Sequence, residues 1–399
     1  MLATLLRVIK RRVVRPRSAA RLEAGGGGVA LIKRLYVDNY KCLVNFAVEL
    51  SELSLLLGPN GCGKSSVLDV VYALRQLLSG VAKVTDAGIF PGRTLTRWQG
   101  RNQQTFELEV RLDEELFSYR LEIEHELTTR RARVVKERLT VARDQPLFEF
   151  LLGEVQLYRD DHSKGPKFSS DWGESALARV APTRDNRRLT RFLDFVRKIL
   201  VCGLYPRRFA AEAATEDLLL DRDGSNFAAW YRNAFQERQD LVPGYLEALR
   251  EVIEGFRGIR LQKVGLDTRA FMVHFEDGDG DFELRLDELS DGERALIAIY
   301  ALIYVTAGQG YSLFLDEPDN YVALPELQPW LMELADACGD AVGQALLCSH
   351  HPELIDYLGA ERGVLLSRER GVVVARPFDL RGEGGELKLS ELIARGWDV

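Results

Sequence analysis

The sequence predicts an α/β fold with a mixed sheet, an antiparallel β meander and a small helical lobe, and no long coiled-coil arms. Three observations lead there. A short apolar strand runs through a glycine-rich turn into a helix between residues 53 and 78. Period-2 alternation with short turns starts at Thr105 and continues for five segments. From Ser290 onward the pattern is helix, strand, helix, strand, helix. No heptad pattern is sustained and no internal repeat is visible, which excludes long arms and solenoids.

Taken in order, residues 1–28 carry seven basic residues and one acidic one and end in Gly25–Gly28. They read as a disordered basic extension, dispensable for the folded body, with an early start codon or a targeting segment as the sources of such a stretch. Residues 31–50 alternate as two strands around "DNYKC". Leu53–Leu57 is a buried strand, and Val67, Val70, Val71, Leu74, Leu77 and Leu78 have helical spacing. A polar stretch, 80–104, precedes the meander. Residues 160–186 read as loop, Leu189–Val201 as helix, and 223–257 as two helices. "AFMVHFEDGDGDFELRL" is a hairpin. Its Asp277, Asp279, Asp281 and Glu288 have the spacing of a calcium loop, but Phe282 stands where the sharp turn needs glycine, so the run is read as turn chemistry. These elements divide as 1–28 extension, 29–187 N-terminal lobe with meander, 188–260 helical lobe, 261–360 C-terminal lobe, and 361–399 C-terminal strands and tail. In the tail, Leu387, Leu389, Leu392, Ile393 and Trp397 offer an apolar face to a partner or to the chain's own core.

Composition bounds the function. The 399 residues are 46% hydrophobic and 28% charged, ordinary for a globular protein. No apolar run reaches the ~18 residues of a membrane span. The five cysteines (42, 62, 202, 338 and 348) show no C-x-x-C spacing, which points to a reducing, cytoplasmic setting and excludes a disulfide framework or zinc site. Net charge is −7, and without residues 1–28 it is −13. Contact with DNA or RNA then depends on local clusters at Arg130–Arg138, Arg184–Arg191 and Arg207–Arg208.

The chemistry sits in ordered motifs. Gly58-Pro59-Asn60-Gly61-Cys62-Gly63-Lys64-Ser65 fits G-x-x-x-x-G-K-[ST] at every defined position, between a strand and a helix as that pattern requires. Glycines allow backbone N–H groups to turn inward around an anion, and the helix adds its positive end. Lys64 is placed for the β- and γ-phosphates and Ser65 for Mg2+, so Asn60, Gly61, Cys62, Gly63, Lys64, Ser65 and Ser66 form the candidate nucleotide-binding set. In "YSLFLDEPDN" an apolar strand ends in Asp316-Glu317. Asp316 is the candidate metal carboxylate, and Glu317 the candidate group that polarises an attacking water. "LSDGER" places Ser290 and Gly292 just ahead of a helix, where backbone N–H groups meet a phosphate.

Glycine-rich loop, LSxG-type signature and Asp-Glu strand end, in that order, resemble the ABC-type ATPase fold. More narrowly they resemble the SMC-like AAA-type core group, to which ATPase subunits of bacterial anti-phage systems belong. "VDNYKCL" is similar to that group's opening strand. "LLCSHHPELID" is similar to its switch segment, which makes His350 the switch histidine and a third candidate catalytic residue with Glu317 and Lys64. The resemblance covers roughly residues 30–360. It departs at Asp291, Glu293 and Leu324, and the coupling glutamine has three candidates, Gln99, Gln103 and Gln104. It implies ATP and Mg2+, and a head-to-tail homodimer in which Ser290 and Gly292 complete the partner's site. Three functions stay open: a regulator of a separate effector protein in bacterial defence, a repair ATPase that clamps nucleic acid directly, and a slowly hydrolysing structural clamp.

Overall fold

Alternation of buried and exposed residues builds the first sheet, and runs buried on both faces build the second. The computed structural model describes residues 30–378, except 127, 129, 130, 143 and 279, together with 390 and 391. The extension 1–28 and most of the tail beyond 378 lie outside the described residues.

The chain opens with β1 (Ala30–Asp38) and β2 (Phe46–Glu49), then passes to β3 (Leu53–Leu57) and α1 (Lys64–Leu78). The meander is β4 (Gln103–Leu112), β5 (Glu115–Glu126), β6 (Arg131–Val141), β7 (Gln145–Leu151), β8 (Glu154–Tyr158) and β9 (Lys164–Ser169). α2 (Arg187–Arg197) leads into β10 (Ile199–Cys202). β11 (Glu212–Ala213), α3 (Phe227–Glu237) and α4 (Val242–Val252) follow, and then β12 (Phe256–Lys263), β13 (Arg269–Asp277) and β14 (Gly280–Arg285). The last part runs α5 (Asp291–Thr306), β15 (Ser312–Asp316), α6 (Leu324–Ala337), β16 (Gln344–Cys348), α7 (Pro352–Arg362), β17 (Gly363–Glu369) and β18 (Val372–Pro377).

Three sheets result. The antiparallel one has the order β2-β1-β4-β5-β6-β7-β8-β9. The central one, β10-β15-β16-β3-β17-β18, is parallel apart from the last pair, so it is mixed as the sequence predicts. A small antiparallel sheet joins β11, β12, β13 and β14. Leu56, Phe314, Leu346 and Cys348 face α1 and the meander, while Leu55, Leu57, Leu313, Leu315, Ala345 and Leu347 face the opposite core with α3 to α7. A parallel sheet covered on both faces needs such continuously apolar strands. Gln344 fastens two sheets together: its side chain accepts from Ile32 N (3.0 Å) and donates to Ile32 O and Ser51 O (both 2.9 Å).

The structure corrects three local readings. The helix expected over Leu189–Val201 stops at Arg197, and Ile199–Cys202 becomes β10, hydrogen-bonded to β15. Four buried apolar residues fit either element, and the vacant parallel edge beside β15 decides for the strand. Lys164–Ser169, read as loop, adds β9 to the meander. The stretch read as two helices ends in strand, because β12 begins at Phe256. The flanks of the acidic turn are strands, with Asp277 paired to Gly280 and Asp279 outside the described residues. Among the described residues no helix is long and apolar enough to cross a membrane. In the tail, Ser390 donates from N (2.8 Å) and Oγ (3.0 Å) to the Asp356 carboxylate on α7.

Candidate functional site

Parallel pairing brings four strand ends to one edge. Asp316 stands opposite Cys348, Cys348 opposite Leu56, and Leu315 opposite Cys202. The turns after β3, β10, β15 and β16 therefore meet, which is where ligands sit in open α/β sheets.

The Gly58–Ser65 loop is made by its glycines. Gly58 has φ 136°, and a Cβ there would lie 2.2 Å from Leu366 O. Gly63 has φ 106° and heads α1. Asn60, Gly61 and Ser65 are exposed, whereas Cys62 turns its thiol into the core. Cys62 N donates to Pro59 O at 3.2 Å. Lys64 reaches back across the loop and donates to Gly58 O (2.7 Å) and Pro59 O (3.3 Å). Cys42 Sγ lies 4.0 Å from Ser66 Oγ. Burial pushes the Cys62 thiol up, partly offset by Lys64.

Ser65 Oγ donates to Asp316 Oδ1 at 3.4 Å, so residues 251 apart in sequence share one oxygen cluster. Burial pushes the Asp316 carboxyl up, while the Ser65 hydrogen bond and the Arg222 cation pull it down. A hydroxyl and a carboxylate are hard oxygen donors of the kind Mg2+ takes, so the pair fits that ion. Glu317 follows with φ 48°, a left-handed backbone that is costly for a side-chain-bearing residue and clusters at functional sites. Its N donates to Cys348 O (2.8 Å), and its Oε2 accepts from Asn320 Nδ2 (2.8 Å).

His350 stands exposed after β16. Partial burial and then Lys64 pull its imidazole below the ordinary value, and Glu317, Asp319 and Asp316 oppose them. His351 serves the helix instead, because its Nδ1 accepts from Glu353 N (3.2 Å) and caps α7. Asp319 is buried, its Oδ1 has no hydrogen-bond partner among the described residues, and burial pushes its carboxyl up.

Ser290 and Gly292 lie on a separate turn. Ser290 Oγ accepts from Glu293 N (3.2 Å), and Glu293 Oε2 accepts from Ser290 N (2.8 Å), a reciprocal capping box at the start of α5. A Cβ on Gly292 would be 2.9 Å from Tyr321 O. Ser290 is exposed.

Of the glutamines considered for coupling, Gln103 and Gln104 have side chains bonded within the meander. Gln104 is fully buried in the meander, where it donates to Asn39 O (2.9 Å) and meets His125 Nε2 (2.9 Å). Gln103 donates to Glu122 Oε2 (2.9 Å). Gln99 closes a turn through its backbone, donating from N to Thr96 O (3.2 Å). Sequence reasoning missed other residues at the edge. Asp69 on α1 binds Lys41 (2.5 Å) and Arg222 (2.6 Å). Arg368 donates to Gly61 O at 2.8 Å. Their only sequence signal is Asp69 four residues after Ser65, on the same helix face.

Solved structures show the same fold. The SMC head bound to the C-terminal winged-helix domain of ScpA has a TM-score of 0.55 at 13% identity, covering 88% of this chain and 98% of that one. The SMC head with an extended coiled coil, bound to the C-terminal domain of ScpA derived from Pyrococcus furiosus, has a TM-score of 0.53 at 11% identity, covering 88% and 97%. No sequence among the curated proteins matches. The AAA_21 family model, an AAA domain whose description names the AbiEii toxin and the Type IV TA system, matches residues 53–356. With most of its length inside that match, the chain belongs to the AAA_21 family, and its fold is that of an SMC head.

Proposed function

We propose that this chain binds and hydrolyses ATP with Mg2+ as a head-to-tail homodimer, and that it regulates a separate effector protein in bacterial defence. The observation that carries the ATPase reading is the meeting of Ser65 and Asp316 at 3.4 Å, with Glu317 next in the chain and Lys64 on the same loop. Bound Mg2+ supplies charge neutralisation on the phosphates. Ser65 and Asp316 would hold it, and Lys64 would turn from the carbonyls of Gly58 and Pro59 to the phosphate oxygens. Glu317, oriented by Asn320, accepts the proton of the attacking water. His350 is the switch histidine of this reading, and the Glu317 charge acts on its imidazole. Ser290 is committed to the cap of its own helix, and its exposure suits a partner's site.

The effector reading draws support from two sources. The AAA_21 description places the family among TA systems, and the SMC heads of similar fold carry a domain of a separate protein, ScpA. Direct nucleic-acid clamping is the weaker reading, because many cations of the basic clusters are already paired. Arg133 binds Glu124 (2.5 Å), Arg138 binds Asp144 and Glu149 (2.9 and 3.0 Å), Arg188 binds Glu115 (2.9 Å), and Arg191 binds Asp113.

Sizing with ATP and Mg2+, and again with EDTA, tests the dimer. A shift to twice the mass that needs both ATP and Mg2+ is expected, and an unchanged monomer peak with active ATP turnover would remove the shared-site reading. The rate should also report His350. Its pKa lies below the ordinary 6.5, so the imidazole takes up its proton at lower pH than a free histidine does. The acid limb of the turnover profile is therefore expected at lower pH than an ordinary histidine would give. His350→Gln should lower the rate and flatten that acid limb; a variant with the wild-type rate and limb would leave His350 without a role.

A further inference from the structure

Asp69 sits one turn after Ser65 on α1, and two cations from distant segments converge on its carboxylate: Lys41 at Oδ2 and Arg222 at Oδ1. Arg222 also lies over the Tyr72 ring, 5.3 Å from its centroid, so its guanidinium is held by charge on one side and by an aromatic face on the other. It is only partly exposed. Its backbone carbonyl accepts from Gly203 N at 2.8 Å. Gly203 is the first residue after β10, and a Cβ on it would stand 3.4 Å from Asp316 Cβ.

From Gly203 a short strap runs away from the metal carboxylate. Tyr205 N donates to Asp223 O (3.0 Å), and Arg208 pairs with Asp223 (2.9 Å), so the strap is pinned along its length to the loop that carries Arg222. At the far end Arg207 pairs with Asp291 (2.7 Å), and Arg294 donates to Pro206 O (3.3 Å). Asp291 is the residue between Ser290 and Gly292. One strap therefore starts beside Asp316 and ends on the turn that carries the signature.

We propose that Arg222 is a positioning residue that couples the Ser65–Asp316 pair to the Ser290–Gly292 turn through the Gly203–Arg208 strap. The proposal rests on the ATPase reading above. Its physical basis is the charge balance around Asp69 and Asp316. Arg222 pairs with Asp69 at 2.6 Å, and its carbonyl holds Gly203, which abuts Asp316. Arg222 would respond to positive charge held by Ser65 and Asp316 through its pairing with Asp69. Because the Arg222 carbonyl grips Gly203, the response passes into the strap, and Arg207 delivers it to Asp291. The signature turn is then set for a partner's nucleotide only when its own site is filled.

The test uses the full chain, with ATP hydrolysis, ATP affinity and ATP-dependent dimerisation measured side by side. Arg222→Gln should leave the KM for ATP within about threefold and lower kcat and dimerisation by about tenfold or more, a split that a general loss of structure does not produce. Arg222→Lys, which keeps the charge but lacks the planar fork, should recover part of the loss. Arg207→Ala removes a side chain that is 83% exposed, so folding is not at stake. It should lower dimerisation, and the double variant with Arg222→Gln should be no worse than the more severe single one. Independent, multiplying effects overturn the strap, as does an Arg222→Gln protein with wild-type kcat and dimerisation. If Arg222→Gln melts far below the wild type, the Arg207→Ala dimerisation result decides alone. A wild-type chain that hydrolyses no ATP instead overturns the ATPase reading and takes this inference with it.

Discussion

Glu317→Gln is expected to abolish turnover while leaving ATP bound. The two side chains have the same length, and the amide oxygen still accepts from Asn320 Nδ2. The left-handed backbone at φ 48° is unchanged, because glutamine meets the same steric penalty there as glutamate. What disappears is the group proposed to take the proton of the attacking water, a loss of ~10²-fold or more in rate. Lys64, Ser65 and Asp316 are untouched, so ATP and Mg2+ should bind as before. The proposed ATP-bound dimer should then accumulate on a sizing column. His350 should respond as well: Glu317 is one of the charges holding its pKa up, so the variant imidazole should titrate lower still. Wild-type hydrolysis by Glu317→Gln would exclude Glu317 as the base.

Ser290→Arg is expected to fail differently. The chain's own Lys64 loop is intact, so ATP binding by the monomer should persist, while dimerisation and turnover should both be lost. The geometry adds a control. Ser290 Oγ caps α5 by accepting from Glu293 N, and losing such a cap costs about 1 kcal/mol. Ser290→Ala carries that same loss without the bulk and charge. A matching drop in melting temperature for both variants, with dimerisation destroyed only by arginine, separates the interface from the cap. Mixing Ser290→Arg with Glu317→Gln is the sharper measurement. If each site takes its loop from one chain and its signature from the other, a mixed dimer has one site with both defects and one with neither. Activity should reappear on mixing two inactive proteins. If no activity returns although mixed dimers form, each site belongs to a single chain.

The strand, loop and helix from Leu53 to Leu78 were legible in the sequence by themselves, and so were the strand end at Asp316-Glu317 and the cap at Ser290. Each is a local requirement. A backbone that curls around an anion needs glycine at 58 and 63, a buried parallel strand needs an unbroken apolar run, and a helix start needs an oxygen to receive its free N–H groups. The meander was legible for the same reason, since its alternation runs residue by residue along each strand. Only the tertiary structure decided what those pieces touch. Ser65 and Asp316 meet across 251 residues because β3 and β15 both border β16. Ile199–Cys202 is a strand because the edge of β15 is there to pair with it, a preference that four apolar residues cannot state alone. Gln104, a candidate for coupling by its position in the chain, is bound to Asn39 and His125 inside the meander. Arg222, Asp69 and Gly203 carry no motif, and their roles come from charge and close approach between segments the chain keeps far apart. Local patterns fix conformation over a few residues, whereas charge pairing and sheet register depend on which segments the fold makes neighbours.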